Sequence, residues 1–215
     1  GFHKLAVRRG ITRPADLAGK RIGSVRATAQ SYVTTEYLAH HGIAPDAVTI
    51  VSLQDLFDEV AALRAGRIDA GFVWANGVAQ AKLVPGVHIL ENDTSAGVHF
   101  FGYLVTSERY ARGHRADIVR VLRAFADAGN FMEAHPLEAA QIAARHSGVD
   151  VTTMDALLSS QHYTVDLQPD NPRSFVAMAA FATRNDPIRT WPDPASSFDD
   201  SYLREALPAR DGLHR

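Results

Sequence analysis

Short apolar runs alternate with amphipathic stretches between Leu5 and Leu90, and glycine or proline marks most of the changes in period. Leu5–Arg8 predicts a short strand. Thr12 to Gly19 predicts one helical turn, with Thr12 as N-cap, Pro14 in the first turn and Gly19 as a left-handed exit. Arg21–Val25 predicts a buried strand, and Tyr32–His41 a helix closed by Gly42. Val48–Leu53 is apolar enough to predict a strand buried on both faces. Leu56–Ala65 carries apolar residues at Leu56, Val60 and Leu63 and predicts a helix ending at Gly66. Ala70–Trp74 predicts a strand, Val78–Leu83 a short helix and Val87–Leu90 a further strand. Such alternation implies an α/β fold, with a parallel sheet and right-handed crossover helices.

Beyond Glu91 the pattern changes. Asn92–Gly97 reads as a polar crossing and Phe100–Thr106 as a long apolar strand. Helices are predicted at Ala116–Ala134, at Leu137–His146 (opened by Pro136, closed by Gly148), near Thr153–Ser160, at Arg173–Thr183 after Asn171-Pro172, and at Asp199–Leu207. Apolar helix faces need a sheet to cover, and this half offers few strands. The chain also opens on Lys4-Leu5-Ala6-Val7-Arg8 as if inside a fold, so a sheet supplied from upstream is expected.

Composition narrows the chemistry. With 215 residues and 46% hydrophobic content, the chain has enough material for one domain or two small lobes. A net charge of −2 gives no basic face for nucleic acid. Arg109, Arg112, Arg115, Arg120 and Arg123 form a mild cluster, expected to be a solvated helix face. The absence of cysteine removes disulfides, thiolate metal sites and thiol nucleophiles from this chain. His40 and His41 point about 100° apart on a helix, and no His-x-x-x-His spacing occurs, so no metal and no cofactor is expected.

The loop Arg26-Ala27-Thr28-Ala29-Gln30-Ser31 follows a strand and feeds a helix, where backbone N–H groups point outward and favour an anion. The dipole there contributes about 0.3–1 kcal/mol. With no glycine-rich phosphate signature and no metal set, the loop reads as a holding site. Thr28, Gln30, Ser31 and Tyr32 are its candidate residues; plain N-capping by Thr28 or Ser31 is the alternative. Trp74, at a strand end, suits stacking or an ammonium cage, though a core role fits as well. Asn76 is placed to donate and accept, or to shape a turn. Asp69 is expected to fix the strand entry rather than act as an acid. Arg26 is a possible added charge. His99 with Phe101 and Tyr103, on one face of the expected return strand, and Tyr163 are candidate wall residues.

Taken in order, several segments resemble the substrate-binding proteins of nitrate, sulfonate and taurine ABC importers. They are Asp16-Leu17-Ala18-Gly19-Lys20-Arg21-Ile22-Gly23, Gly42-Ile43 with Val48-Thr49-Ile50-Val51, Ala61-Ala62-Leu63-Arg64-Ala65-Gly66-Arg67-Ile68-Asp69-Ala70, Phe72-Val73-Trp74-Ala75, Val105-Thr106-Ser107-Glu108-Arg109-Tyr110 and Phe198-Asp199-Asp200-Ser201-Tyr202-Leu203. The resemblance implies a type II periplasmic-binding-protein-like fold: one complete βα lobe plus the C-terminal, mainly helical part of the other. Residues 1–10 are then expected as the entry from lobe one, 11–97 as lobe two and 98–215 as the return strand and lobe-one helices.

It further implies a monomeric, non-catalytic binder of a small organic anion in an interlobe cleft, partnered by an ABC importer membrane permease in the periplasm. An upstream signal peptide and the first part of lobe one belong to that expectation. Thr28, Gln30, Ser31 and Tyr32 match the loop that holds the sulfonate or carboxylate in the taurine branch. That branch has a histidine where Ser31 stands and a carboxylate where Gly102 stands, which favours a ligand without an ammonium group. The alternatives are an enzyme on the same scaffold, of the sulfinate desulfinase or thiamin-pyrimidine type, or the effector domain of a transcription regulator.

Overall fold

Five short strands, each ending where glycine, serine or a turn interrupts the apolar run, assemble into one mixed sheet. The computed structural model describes residues 2–55, 58–159, 161–185 and 197–212. β1 (Lys4–Arg8), β2 (Arg21–Ser24), β3 (Thr49–Ser52), β4 (Ala70–Val73) and β5 (Val87–Asn92) lie in the order β3-β2-β4-β1-β5. β2 runs parallel to β3 and to β4, as the alternating pattern predicts. The intervening helices are α1 (Ala29–His40), α2 (Asp58–Arg64) and α3 (Asn76–Lys82).

Three expectations are corrected. The sheet is not wholly parallel: β1 inserts antiparallel between β4 and β5. Its Leu5, Ala6 and Val7 are buried, so residues 4–8 form an inner strand of this sheet. β3 is not buried on both faces. It occupies the sheet edge, and Ile50 is 50% exposed there. The apolar run Phe100–Thr106 forms no strand among the described residues, although its aromatic and β-branched residues favour one; such residues form a ladder only where a neighbouring strand pairs with them.

One face of the sheet packs Ala6, Val73 and Leu53 against Val60, Ala62, Leu63 and Ala81 of α2 and α3. On α1, Val33, Tyr37 and Leu38 are buried, with the Tyr37 ring edge-on to Phe72 at 5.4 Å. Each such side chain contributes roughly 1.5–3 kcal/mol when fully buried.

The chain divides into two compact units, Gly1–Phe100 with Phe181–Pro187, and Phe101–Ala180 with Ile188–Arg215. The second contains α4 (Glu108–Gly113), α5 (Arg115–Ala134), α6 (Pro136–Ser147), α7 (Val151–Leu158), most of α8 (Asp170–Asn185) and α9 (Ser201–Ala206). Apart from α4, which the pattern does not predict, these match the predicted helices closely, while the expected ends at Leu56 and Ser160 lie outside the described residues. Ala140 and Ala144 of α6 pack on Met154 of α7.

The arginine cluster is only partly a solvated face. Arg115 donates to the Glu205 carboxylate at 2.7 Å and lies over the Tyr202 ring, and Arg123 donates to the Ala206 carbonyl at 3.2 Å. Two arginines of α5 therefore dock α9.

Gly129 lies in α5 where a Cβ would collide with the Tyr163 carbonyl. On an open helix face Gly→Ala stabilises by about 1 kcal/mol. Here Gly129→Ala is expected to destabilise by ~1–3 kcal/mol through overpacking, read from the urea midpoint; a stabilised variant would show that the 161–164 segment is not packed on α5.

Candidate anion-holding site

The β2–β4 ladder ends at the pair Gly23–Gly71, and just beyond it the two strands diverge. Gln30 fills the fork. Its Oε1 accepts from the Val25 amide at 2.8 Å and its Nε2 donates to the Phe72 carbonyl at 3.0 Å. The side chain is 1% exposed. Gln30 thus has a different task from the expected ligand contact: it clamps the backbone from which both candidate loops depart.

Thr28 is the N-cap of α1. Its hydroxyl donates to the Val25 carbonyl at 2.7 Å and accepts from the Ser31 amide at 3.4 Å. Ser31 Oγ accepts from the Thr28 amide at 3.2 Å and donates to the Thr28 carbonyl at 2.8 Å. Capping therefore uses both hydroxyl protons, and the outward donors of the first turn are the main-chain N–H groups of Ala29 and Gln30. Two non-glycine residues have positive φ, Ala27 at 58° and Ala75 at 50°, one just ahead of α1 and the other just ahead of α3. Strain of this kind is commonly held where a backbone presents itself to a ligand.

Tyr32 is 8% exposed, with its ring edge-on to Phe100 at 6.1 Å and to Phe181 at 5.3 Å. Burial raises its phenol pKa. It builds the wall more than it faces open space. Trp74 and Asn76, both half-buried, line a cavity of about 240 Å³ together with Glu59, Val60, Val73 and Gln80. His3 stands edge-on to Trp74 at 5.5 Å and contacts Phe100 at 4.6 Å. Its amide donates to Asp93 Oδ2 at 2.8 Å, and its ring Nδ1 lies 3.2 Å from the same oxygen. Burial alone would raise the Asp93 pKa, but the His3 hydrogen bonds prevail and hold it below the usual range.

The remaining candidates are dispersed. Arg26 and His99 are exposed; Phe100, the neighbour of His99, is the residue in contact with His3 and Tyr32. Tyr103 belongs to the helical unit, where its hydroxyl donates to the Asn171 carbonyl at 3.1 Å and its ring meets Phe175 and Phe198. Tyr163 belongs there too, against Gly129. Asp69 does fix the strand entry: it accepts from the Arg21 amide and guanidinium, which lowers its pKa. Among the described residues no cluster of three His, Cys, Asp or Glu is arranged to hold a metal ion.

Sequence reasoning missed Glu59. It is 1% exposed, and neither carboxyl oxygen has a hydrogen-bond partner. Burial, with a smaller push from Asp58, raises its pKa to about 8; the nearby Gln30 amide partly offsets this, although its own hydrogen bond goes to the Phe72 carbonyl. A Cβ at Gly23 would lie 3.0 Å from Glu59 Oε1, and one at Gly71 2.8 Å from its Cγ. Two strand-interior glycines therefore make the recess it occupies, and such glycines are a sequence signal of close approach.

A sheet with crossover helices and polar loops at the carboxyl ends of its parallel strands is the architecture of ligand-holding α/β proteins. The chain belongs to the NMT1/THI5 like family, whose model matches residues 4–139. It is 38% identical over 89 residues to the taurine-binding periplasmic protein of Escherichia coli K12, covering 41% of this chain and 25% of that protein. It is 24% identical over 200 residues to a putative aliphatic sulfonates-binding protein of Bacillus subtilis, covering 92% of this chain and 60% of that one. The chain thus spans less than two thirds of either relative. Its fold is similar to the periplasmic aliphatic sulphonate binding protein SsuA of Escherichia coli, with TM-score 0.80 and 18% identity over 92% of this chain and 65% of that one. The type II periplasmic-binding-protein-like expectation is met at the level of the fold.

Glu59 makes stability pH-dependent in a defined sense. The folded chain keeps this proton to about pH 8, whereas an unfolded glutamate loses it near 4.5. Unfolding then releases a proton between those values, so stability falls as pH rises, by at most about 1.4 kcal/mol per unit, and levels off above the folded pKa. Urea titrations across this window should show that Glu59→Gln flattens the slope and is more stable than the parent at the alkaline end. Parallel curves for the two proteins would contradict a protonated Glu59.

Proposed function

We propose that this chain is the ligand-holding part of a solute-binding protein that delivers a small organic anion of the sulfonate class to the membrane permease of an ABC importer, acting as a monomer in the periplasm. The observation that carries the reading is the start of α1, where the capping box engages the Thr28 and Ser31 amides and leaves those of Ala29 and Gln30 as helix-start donors beyond a fork closed by the Gln30 side chain. The sulfonate oxygens accept from those amides, with Thr28 and Ser31 holding the turn in shape. Trp74 and Asn76 leave the same end of the adjacent strand and contact the organic part of the solute, and His99 is a further contact from the exposed crossing. The taurine- and sulfonate-binding relatives support the choice of anion.

The groups of this loop suit holding rather than attack: the Thr28 and Ser31 hydroxyls are engaged with main-chain carbonyls. With no cysteine in the chain, no thiol nucleophile comes from this sequence. Binding without transformation is therefore the reading adopted.

Micromolar affinity requires about 8 kcal/mol, within reach of several charge-assisted hydrogen bonds and one aromatic contact. Calorimetry of the full-length protein against alkyl and aryl sulfonates is expected to give micromolar binding, weakened at least about tenfold, or ~1.4 kcal/mol, by Trp74→Ala. Absence of heat with every sulfonate would reject the proposal, and unchanged affinity in the variant would remove Trp74 from the site.

A further inference from the structure

We propose that Glu59 is a positioning residue for the anion-holding start of α1: as a neutral acid it leaves the Gln30 clamp closed, and loss of its proton opens the clamp and lets the anion go. This rests on the anion-holding reading above and adds the regulation of that site by pH. Glu59 itself touches no solute.

A short relay joins the acid to the site. Glu59 is 1% exposed on α2, and its Oε1 lies against the two glycines of the last β2–β4 pair; a Cβ would stand 3.0 Å from it at Gly23 and 2.9 Å at Gly71. Just beyond that pair the strands part, and the Gln30 side chain spans the gap from the Val25 amide to the Phe72 carbonyl. The main chain of Gln30 belongs to the first turn of α1. Its side-chain amide is near enough to lower the Glu59 pKa, yet neither Glu59 oxygen completes a hydrogen bond.

The two protonation states of Glu59 make different demands on that amide. A neutral carboxyl is a weak acceptor, and Gln30 Nε2 stays on the Phe72 carbonyl. A carboxylate shut away from water needs donors, and hydrogen bonds to it are about twice as strong as neutral ones. The side-chain donor set beside it is Gln30 Nε2. Turning to the carboxylate, that group leaves the Phe72 carbonyl unpaired and frees the turn that carries the Ala29 and Gln30 amides. The new negative charge also opposes an anion at the same helix start.

The surrounding elements offer Glu59 no compensating cation among the described residues. Arg21, the charged residue of β2, is engaged with Asp69 at the strand entry, and β4 contributes only Gly71. Lys82 of α3 and Arg64 of α2 lie in the last turns of their helices. On α1, Glu36 acts on Tyr32, both Tyr32 and Tyr37 have raised pKa values, and His40 is exposed in the last turn. Asp58, beside Glu59, pushes its pKa further up. Burial brings that pKa to about 8, so the clamp opens at mildly alkaline pH. An anion that favours the protonated acid must in return draw a proton onto it when it binds.

The test is calorimetry of the full-length protein with butane-1-sulfonate and benzenesulfonate, whose charge is constant, near pH 7 and near pH 9.5. With only the protonated fraction competent, affinity is expected to be at least about tenfold weaker at the higher pH. Glu59→Gln, neutral at every pH, is expected to keep its affinity within about twofold. Near pH 8.5, buffers of different ionisation heat are expected to show uptake of most of a proton by the parent, a measurement that decides the matter should Glu59→Gln fail to fold. The side-chain amide resonances of Gln30 are expected to shift with the same midpoint as the affinity. Affinity that stays flat across this range, an equal fall in Glu59→Gln, binding without proton uptake, or Gln30 resonances that stay still while affinity falls would each overturn the proposal. If neither sulfonate binds near pH 7, the anion-holding reading fails and the coupling fails with it; binding that ignores pH refutes the coupling alone.

Discussion

Everything at the candidate site is referred to one buried amide. Where β2 and β4 part, the Val25 N–H and the Phe72 carbonyl would be left unpaired in the interior, and the Gln30 side chain satisfies both. Buried main-chain groups without partners are rarely tolerated. Because Gln30 sits in the first turn of α1, the same contact fixes the helix start against the sheet. The Thr28–Ser31 capping box and the Trp74–Asn76 segment thereby emerge from one rigid point. A ligand reaching the α1 amides meets donors whose positions are already determined, which lowers the ordering cost of binding.

A second constraint lies on the face of the sheet covered by α2. Glycine at 23 and 71 weakens two strands slightly and leaves no side chain to pack, yet it admits the Glu59 carboxyl. The residue is expensive to bury as an anion and survives as a neutral acid, as its raised pKa indicates. His3 and Asp93 differ in being a buried pair joined by two hydrogen bonds to Asp93 Oδ2, with the His3 ring against Trp74 and Phe100.

The helical unit shows how far local pattern carries. Its helices follow their predicted spans within a few residues because Pro136, Gly148 and the Asn171-Pro172 entry act locally through φ and capping. The roles of Tyr103, Tyr163, Arg115 and Arg123 depend instead on distant partners, Asn171, Gly129, Glu205 and Ala206. No spacing rule announces such contacts. Several apolar side chains here stay exposed, including Val121, Phe125 and Leu137.

What the sequence alone determined are features governed by neighbours along the chain: the βα alternation, the α1 cap at Thr28, the absence of thiol chemistry and the family motifs around Asp69 and Trp74. It also pointed to the loop after β2 as a candidate site, since strand ends and helix starts are legible in periodicity. Only the tertiary structure decided that β1 is an inner antiparallel strand, that β3 is an edge, that Phe100–Thr106 forms no strand among the described residues, and that Gln30 faces inward while Glu59 lies beneath Gly23 and Gly71. Apolar periodicity records how much of a residue is buried, but strand order and the partner of a buried polar group are set by residues dozens of positions away, and those are fixed only when the chain closes on itself.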